Sequence, residues 1–254
     1  MDRGLHRGLP GRYSTGDGAD GLSWLDYCLE VYITGIYCMK DIYLIRHTTP
    51  AVGKGICYGQ TDLDVTESFM DEASIIRQHL PSSFSSVHSS PLQRCSRLAE
   101  RLFPAHQVKL HPELMEIHCG EWEMRSWDDL PKEEIEPWMK DFVNIRIPGG
   151  ESYLDLHQRV TGCFTGIHGS AAAGTSVPSS RPAEDPIAIV AHGGVIRSIL
   201  SHITGTKLID SFKVFSLHYG CVIRIYGPPD SLQHEILSNQ APLEKEQHKP
   251  KSFY

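Results

Sequence analysis

Two short hydrophobic segments, far apart in the chain, each end in a histidine. Residues 42–46 form a nearly continuous apolar run that is followed by His47, and residues 187–191 form a second run that is followed by His192. Runs this short and this apolar are typical of strands buried on both faces of a parallel sheet. Because ligands bind beyond the carboxyl ends of the strands in open α/β sheets, we predict that both histidines lie at one functional site.

Strand and helix signals alternate along the rest of the chain. Further strands are predicted at 86–89, 108–110 and 221–226, and helices at 67–80, 91–103, 152–167 and 193 to about 204. This alternation predicts an α/β fold, a three-layer α/β/α sandwich around a largely parallel sheet in a single domain. Residues 112–147 contain three tryptophans and three prolines without a clean period, so we predict a helical excursion or lid there.

Three segments lie outside this pattern. Residues 1–38 begin polar and Gly-rich, and their later apolar part is too short to span a bilayer and lacks the features of a signal peptide. We hypothesise that Met39 is the natural start and that the domain covers 39–240; the alternative is a native extension that packs on the domain. Residues 168–186 are small, polar and Pro-rich, which predicts a flexible surface loop, and 241–254 predict a loose tail.

Charge and cysteine usage exclude several classes of function. The chain has 24 Lys+Arg against 31 Asp+Glu, a net charge of -7, so it lacks the basic balance of a nucleic-acid binder. An anionic ligand would have to be bound by a local cluster of positive groups. Seven scattered cysteines without a C-x-x-C pair predict free thiols in a reducing compartment. We therefore expect a cytoplasmic protein with no metal, no cofactor and no membrane or nucleic-acid partner; its oligomeric state stays open.

A third element begins at the end of the predicted strand 86–89. Residues 89–91, Ser-Ser-Pro, are expected to leave backbone N–H groups free at the start of the next helix, where an anion could bind. Arg94 lies about one helical turn further and could reach the same opening. Together with Arg46 and the two histidines, these groups predict a site for a tetrahedral dianion that is bound without a metal.

These residues resemble the histidine phosphatase superfamily, which includes the phosphoglycerate mutases. The resemblance covers most of 40–226 and rests on four motifs in the family's order. They are the first arginine–histidine motif at 44–48, the second arginine motif at 90–95, the acid segment at 114–123 and the second histidine motif at 189–194. The chain departs from the family pattern at Thr48, where glycine is usual, and at 118–119, where His-Cys replaces the usual pair.

Within the superfamily the chain is most similar to the α-ribazole phosphatases of cobalamin nucleotide-loop assembly. The segments that carry this likeness are 55–62, 120–124 and 148–152. The resemblance implies a metal-independent phosphomonoesterase that hydrolyses α-ribazole 5′-phosphate to α-ribazole. Two alternatives stay open: a histidine phosphatase or mutase for another small phosphorylated metabolite, and a non-catalytic phosphate-binding relative.

The resemblance also implies a role for each catalytic residue. His47 attacks phosphorus and forms a phosphohistidine, and its other ring N–H is expected to bind a backbone carbonyl. Glu116 donates a proton to the departing oxygen and then takes one from water. Arg46, Arg94 and His192 stabilise the equatorial oxygens, where charge is spread. The residues expected to bind substrate are Arg46, Thr48, Tyr58, Arg94 and Gly193.

Several neighbouring residues permit more than one interpretation. Glu121 and Glu123 are alternative proton donors, because they stand in the same acidic segment as Glu116. Trp122 and Trp127 are expected to pack in the core or lid, with stacking on a substrate base as the alternative. Arg197 follows the second histidine motif and is expected on the surface.

Overall fold

A six-stranded mixed sheet forms the centre of the structure, a computed structural model that describes residues 40–172 and 185–240. The strands are β1 Ile42–Arg46, β2 Ser86–Ser89, β3 Val108–Leu110, β4 Ile187–Ala191, β5 Val222–Tyr226 and β6 Gln233–Ser238. Their order in the sheet is β3-β2-β4-β1-β5-β6. The first four are mutually parallel, whereas β5 runs antiparallel to β1 and β6 antiparallel to β5. The predicted α/β class and largely parallel sheet are confirmed.

The two histidine-ended strands are direct neighbours. β1 pairs with β4 in parallel register from Ile42 opposite Ile187 to Arg46 opposite Ala191. The ladder continues past the strand ends, because the His47 backbone N–H donates to the Ala191 carbonyl at 3.0 Å. All of β4 is buried, as its unbroken apolar run predicts. The register alone therefore brings both histidines to one edge of the sheet.

Helices cover both faces of the sheet and give the three predicted layers. They are α1 Phe69–Arg77, α2 Gln93–Leu102, α3 Lys132–Lys140, α4 Tyr153–Ala172, α5 Gly193–Thr204 and α6 Ser211–Val214. Successive strand residues point to opposite faces, so Leu44 packs in the cluster that contains Leu156 and Ile196 of α4 and α5. Ile45 packs in the other cluster, beside Leu98 of α2.

Three local predictions were wrong. Residues 168–172, predicted as loop, are the last five residues of α4, because the alanines there favour helix over a turn. Helix α1 is shorter than the predicted 67–80. The antiparallel edge strand β6 was missed, since its half-exposed sequence has only a weak apolar signal. The predictions for 1–38, the Met39 start and 241–254 lie outside the described residues, as does the loop part 173–184.

The segment 112–147 is an irregular excursion, as predicted. It contains the 3-10 turns Pro112–Leu114, Gly120–Trp122 and Trp127–Asp129, followed by α3. A small separate core, with Trp122 fully buried at its centre, holds the excursion together. Among the helices that the structure describes, none is long and apolar enough to cross a membrane.

Candidate active site

A cavity of ≈ 170 Å³ opens at the carboxyl ends of β1 and β4, where ligands are expected in this architecture. One part of its wall is polar and contains Arg46, His47, Glu116, Gly193 and Arg197. The other part is largely aromatic and consists of Tyr58, Trp127, Trp138, Phe142, Tyr153, Phe212 and Tyr219. The cavity can therefore receive an anion at one end and an apolar or flat group at the other.

The His47 ring is buried and fixed in one orientation. Its Nδ1 lies 2.7 Å from the backbone carbonyl oxygen of Thr48, which can only accept a hydrogen bond. Nδ1 must therefore carry a proton, and in the neutral ring the lone pair is then on Nε2. The ring also contacts Tyr219 and His192, with centroid distances of 5.4 and 5.1 Å. The bond expected for a histidine nucleophile is thus present.

The Glu116 carboxylate lies against the first turn of α5. Its Oε2 accepts a hydrogen bond from the Gly194 backbone N–H at 2.9 Å, and its Oε1 accepts one from Ile117 at 2.9 Å. A Cβ atom on residue 194 would lie 2.3 Å from Glu116 Oε1, which is well inside contact distance. Only glycine at position 194 allows this carboxylate to approach so closely.

The backbone of Glu116 is fixed by side chains that sequence reasoning missed. Its carbonyl accepts hydrogen bonds from Arg159 Nη2 at 2.9 Å and from Gln60 Nε2 at 3.0 Å. Arg159 also forms a two-pronged ion pair with Glu151, whose carboxylate accepts the His118 backbone N–H. Glu151 belongs to a segment noted only for its family likeness, and an arginine in a helix has no local signature. No sequence signal marked this clamp.

Two arginines lie at the cavity wall. Arg46 Nη1 donates to the Leu217 carbonyl at 2.6 Å, and its guanidinium stands 4.0 Å from the Tyr219 ring centroid. The surface location expected for Arg197 was wrong, because this residue is only 5% exposed and lines the cavity. The reason is that α5 is buried over its first nine residues, so it has no solvent face there. Arg197 stacks on Phe212 at 4.5 Å.

Arg94 and His192 lie behind the wall rather than on it. Both are fully buried. Arg94 donates to the carbonyl oxygens of Thr61 and Gly59 at 2.8 and 2.6 Å. His192 Nε2 lies 2.8 Å from the Ser90 hydroxyl oxygen, and its ring touches that of His47. Burial, reinforced by the nearby Arg94, holds the pKa of His192 well below its usual value, so this ring is neutral.

The anion seat predicted at the start of α2 was wrong. The Leu92 backbone N–H donates to the Ser90 hydroxyl at 3.3 Å, and the Gln93 N–H donates to the Asp62 carboxylate at 2.7 Å. The protein's own carboxylate therefore occupies the position proposed for a ligand. Local sequence could not show this, because Asp62 lies in a distant loop.

The residues expected to bind substrate separate into two groups. Tyr58 lines the cavity, with its hydroxyl 2.5 Å from that of Tyr219, and burial raises the pKa of Tyr58. Gly193 and Arg46 also line it. The second group is Thr48 and Arg94, whose side chains are fully buried and do not line the cavity, so their contact with substrate stays a prediction.

Neither alternative acid lines the cavity. Glu121 is exposed. The Glu123 carboxylate accepts hydrogen bonds from backbone N–H groups and from the Thr61 hydroxyl, which tie the loop 59–61 to the excursion. Burial alone would raise the pKa of Glu123, but these bonds outweigh burial and lower it. Glu123 is thus an ionised structural anchor.

The three tryptophans of the excursion lie in different environments. Trp122 is a core residue, as expected, and its indole N–H donates to Glu134 at 2.9 Å. Trp127 and Trp138 reach the cavity wall, where their rings stack at a centroid distance of 6.0 Å. Trp127, Trp138 and Phe142 of the excursion therefore supply part of the aromatic wall, and none of the wall's aromatic residues lies on a strand of the sheet.

Comparisons with known proteins agree on the family. A model of the histidine phosphatase superfamily (branch 1) matches residues 42–239. The probable phosphoglycerate mutase GpmB of Escherichia fergusonii is 31% identical over 176 residues, 66% of this chain and 76% of the relative. The adenosylcobalamin/alpha-ribazole phosphatase of Salmonella typhimurium is 31% identical over 128 residues, 47% of this chain and 62% of the relative.

The same fold occurs in the crystal structure of the alpha-ribazole phosphatase from Shigella flexneri. That structure aligns with a TM-score of 0.67 at 24% identity and covers 77% of this chain and 95% of the other. With the motif order and the buried site at the β1 and β4 ends, these matches identify the chain as a phosphatase that belongs to the histidine phosphatase superfamily.

Proposed function

We propose that the protein is a metal-independent phosphomonoesterase that works through a phosphohistidine on His47. The observation that carries the proposal is the shared wall of the cavity, where His47, Glu116 and Arg46 meet. The first supplies a nucleophile, the second a proton donor and the third a positive charge for the phosphoryl oxygens.

In the first step, His47 Nε2 attacks phosphorus and the bond to the leaving oxygen breaks. The Nδ1–H bond to the Thr48 carbonyl keeps the attacking nitrogen unprotonated and stabilises the ring as it gains positive charge. Arg46 offers its guanidinium to the equatorial oxygens. Arg94 and His192 lie directly behind the wall. We assign to Arg94 a positive charge that supports Arg46, and to His192 a hydrogen bond to the phosphoryl group.

Glu116 serves both halves of the reaction in this scheme. Its protonated form gives a proton to the leaving oxygen, and its ionised form then removes one from the water that attacks the phosphohistidine. The N–H groups of Gly194 and Ile117 aim the carboxylate. Enzyme and proton donor return to their starting states, so one phosphate and one alcohol leave per turnover.

We propose α-ribazole 5′-phosphate as the substrate, which would place the enzyme in cobalamin nucleotide-loop assembly. The aromatic wall, which includes Trp127, Trp138 and Tyr219, supports this choice, because such rings suit a flat benzimidazole base. The relative from Salmonella typhimurium bears the name of this activity. The cytosol is the proposed compartment, supported by five free thiols in the described part of the chain.

Arg197 favours a second candidate, a phosphatase or mutase for a phosphorylated carboxylic acid. This buried guanidinium lines the cavity beside Arg46, and a carboxylate on the substrate would neutralise it. The relative from Escherichia fergusonii is named a probable phosphoglycerate mutase.

One panel separates the two candidates. Turnover is measured with α-ribazole 5′-phosphate, 3-phosphoglycerate, phosphoserine and an aryl phosphate, with and without a chelator, for the native enzyme and for Arg197→Gln. If Arg197 binds a substrate carboxylate, the substitution lowers kcat/KM for the two acids by about tenfold or more and spares the other two. If Arg197 contacts the phosphoryl group, all four fall together. Loss of all turnover on chelation contradicts the metal-independent scheme.

A further inference from the structure

A second group of reactive side chains lies outside the cavity, at the edge of the sheet. His111 follows β3, Glu113 belongs to the 3-10 turn after it, and Cys163 lies on α4. One ligand atom from each lies within 4.8 Å of the other two. None of the three lines the active-site cavity; they border a separate cleft of ≈ 630 Å³.

The histidine of this group is oriented by a chain of hydrogen bonds. His111 Nε2 lies 2.8 Å from His88 Nδ1, and His88 Nε2 lies 3.0 Å from the Ser86 hydroxyl oxygen. When His111 Nε2–H donates to His88, and His88 Nε2–H donates to Ser86, the lone pair of His111 is on Nδ1 and can bind a cation. Histidines that bind metal ions typically donate their other ring N–H to a neighbouring group in this way.

The cleft is open where the thiol lies. Cys163 stands between Gly162 and Gly166, and a Cβ atom added to either glycine would meet nothing within 4 Å. A cation with its water can therefore reach the sulfur. Two positive side chains also border the cleft, but Arg159 is neutralised by Glu151 and Lys109 is exposed and screened by solvent.

We propose that His111, Glu113 and Cys163 form a binding site for a zinc-type divalent cation. The imidazole nitrogen, carboxylate oxygen and thiolate sulfur together match Zn²⁺ and its neighbour Co²⁺, whereas Mg²⁺ and Ca²⁺ prefer oxygen alone. Water supplies the fourth ligand. Binding breaks the Cys163 S–H bond, forms a metal–sulfur bond and releases one proton to solvent.

The three proposed ligands take no part in the proposed reaction, although Arg159, which holds the backbone of Glu116, borders the same cleft and donates to the Glu113 carbonyl. The three residues neither donate nor accept a hydrogen bond with His47 or the Glu116 carboxylate in the described structure. Zinc at this position is consistent with chelator-insensitive turnover, so binding and hydrolysis can be tested independently. If the protein binds no zinc, the proposed hydrolysis still stands, and if it hydrolyses no phosphate ester, the proposed zinc site still stands.

The first experiment titrates the untagged, chelator-treated, full-length protein with Co²⁺. We expect one equivalent to bind with the near-ultraviolet charge-transfer absorption of a thiolate–cobalt bond. Cys163→Ser should abolish that absorption, whereas the double variant Cys28→Ser, Cys38→Ser should retain it. Absence of the band in the native protein, or its survival in Cys163→Ser, overturns the proposal.

Competition with a chromophoric chelator then gives relative Zn²⁺ affinities. Cys163→Ser and His111→Ala should each weaken binding by at least about tenfold, and removal of the supporting ring in His88→Phe by about 10- to 100-fold. His79→Ala, a histidine in the turn after α1, is the matched control and should leave the affinity unchanged. Equal affinity in His79→Ala and His111→Ala contradicts the site.

A third measurement needs no variant and therefore does not depend on refolding. Alkylation of Cys163 is followed by mass spectrometry in the native protein with Zn²⁺, with Mg²⁺ and without either. Zn²⁺ should slow alkylation at Cys163 by about tenfold or more, and Mg²⁺ should not. Equal rates with and without Zn²⁺ overturn the proposal.

Discussion

The two halves of the candidate site are constructed in different ways. The strand-end region, 42–48 and 187–197, is fixed by the backbone ladder between adjacent parallel strands. The acid-bearing excursion, 112–147, has no strand and is fixed by charged side chains from elsewhere, chiefly Arg159. A local sequence pattern was therefore enough to indicate the proposed nucleophile, whereas the position of the proposed acid depends on long-range polar contacts.

The sharpest test of the strand-end region is His47→Ala. Turnover should fall at least about a thousandfold, because the covalent intermediate cannot form. The native enzyme quenched during turnover should carry an acid-labile phosphoryl group, and the variant should carry none. A thermal unfolding curve close to that of the native protein serves as the control. Substantial turnover by a folded variant would refute the nucleophile assignment.

The corresponding test of the excursion compares Glu116→Gln with Glu123→Gln. We expect Glu116→Gln to lower kcat by about 10²–10⁴ with little change in KM, because general acid catalysis is lost. The loss should shrink with an aryl phosphate whose leaving group needs no proton. A larger kcat effect in Glu123→Gln would show that the acid is wrongly assigned.

The contact that joins the two regions is tested by Gly194→Ala. The added methyl group would displace the Glu116 carboxylate from the first turn of α5, so kcat should fall by roughly ten- to a hundredfold. Gly169→Ala in α4 is the matched control, since a Cβ atom there meets nothing within 4 Å. An unchanged kcat in Gly194→Ala would mean that this contact does not position the acid.

Among these substitutions, Glu123→Gln should change kcat least, but it should clearly lower the stability of the fold. The pKa of Glu123 in the folded protein lies below the ordinary value of 4.5, so its ionised form stabilises the fold above that pH. Glu123→Gln should lower the free energy of unfolding by roughly 2 kcal/mol at neutral pH. The difference should shrink as the pH falls below 4.5 and the native carboxylate takes up its proton.

Urea denaturation at several pH values measures this dependence. Glu121→Gln is the control, because that carboxylate is exposed and should show no such trend. A stability difference that is independent of pH would show that ionisation of Glu123 does not support the excursion.

Much of the fold and half of the site could be predicted. The runs that end at His47 and His192 specified buried parallel strands, and the strands β2, β3 and β4 have the predicted bounds. Motif order indicated Glu116, which the cavity wall contains. The location of Arg197 was not predictable, because a charged residue is buried only when the surrounding elements offer it partners. The same holds for Asp62, which occupies the helix start proposed for a ligand.

The strand–helix alternation, the histidines at the strand ends and the family could all be recognised from the sequence alone, because hydrophobic period and motif order are local properties. The tertiary structure was needed to show which carboxylate shares the cavity wall with His47, which cations line the cavity and which lie behind it. A buried charge takes its position from hydrogen-bond partners that are distant in sequence. Arg159 holds the backbone of Glu116 and Gly194 holds its carboxylate, and no local pattern encodes either contact.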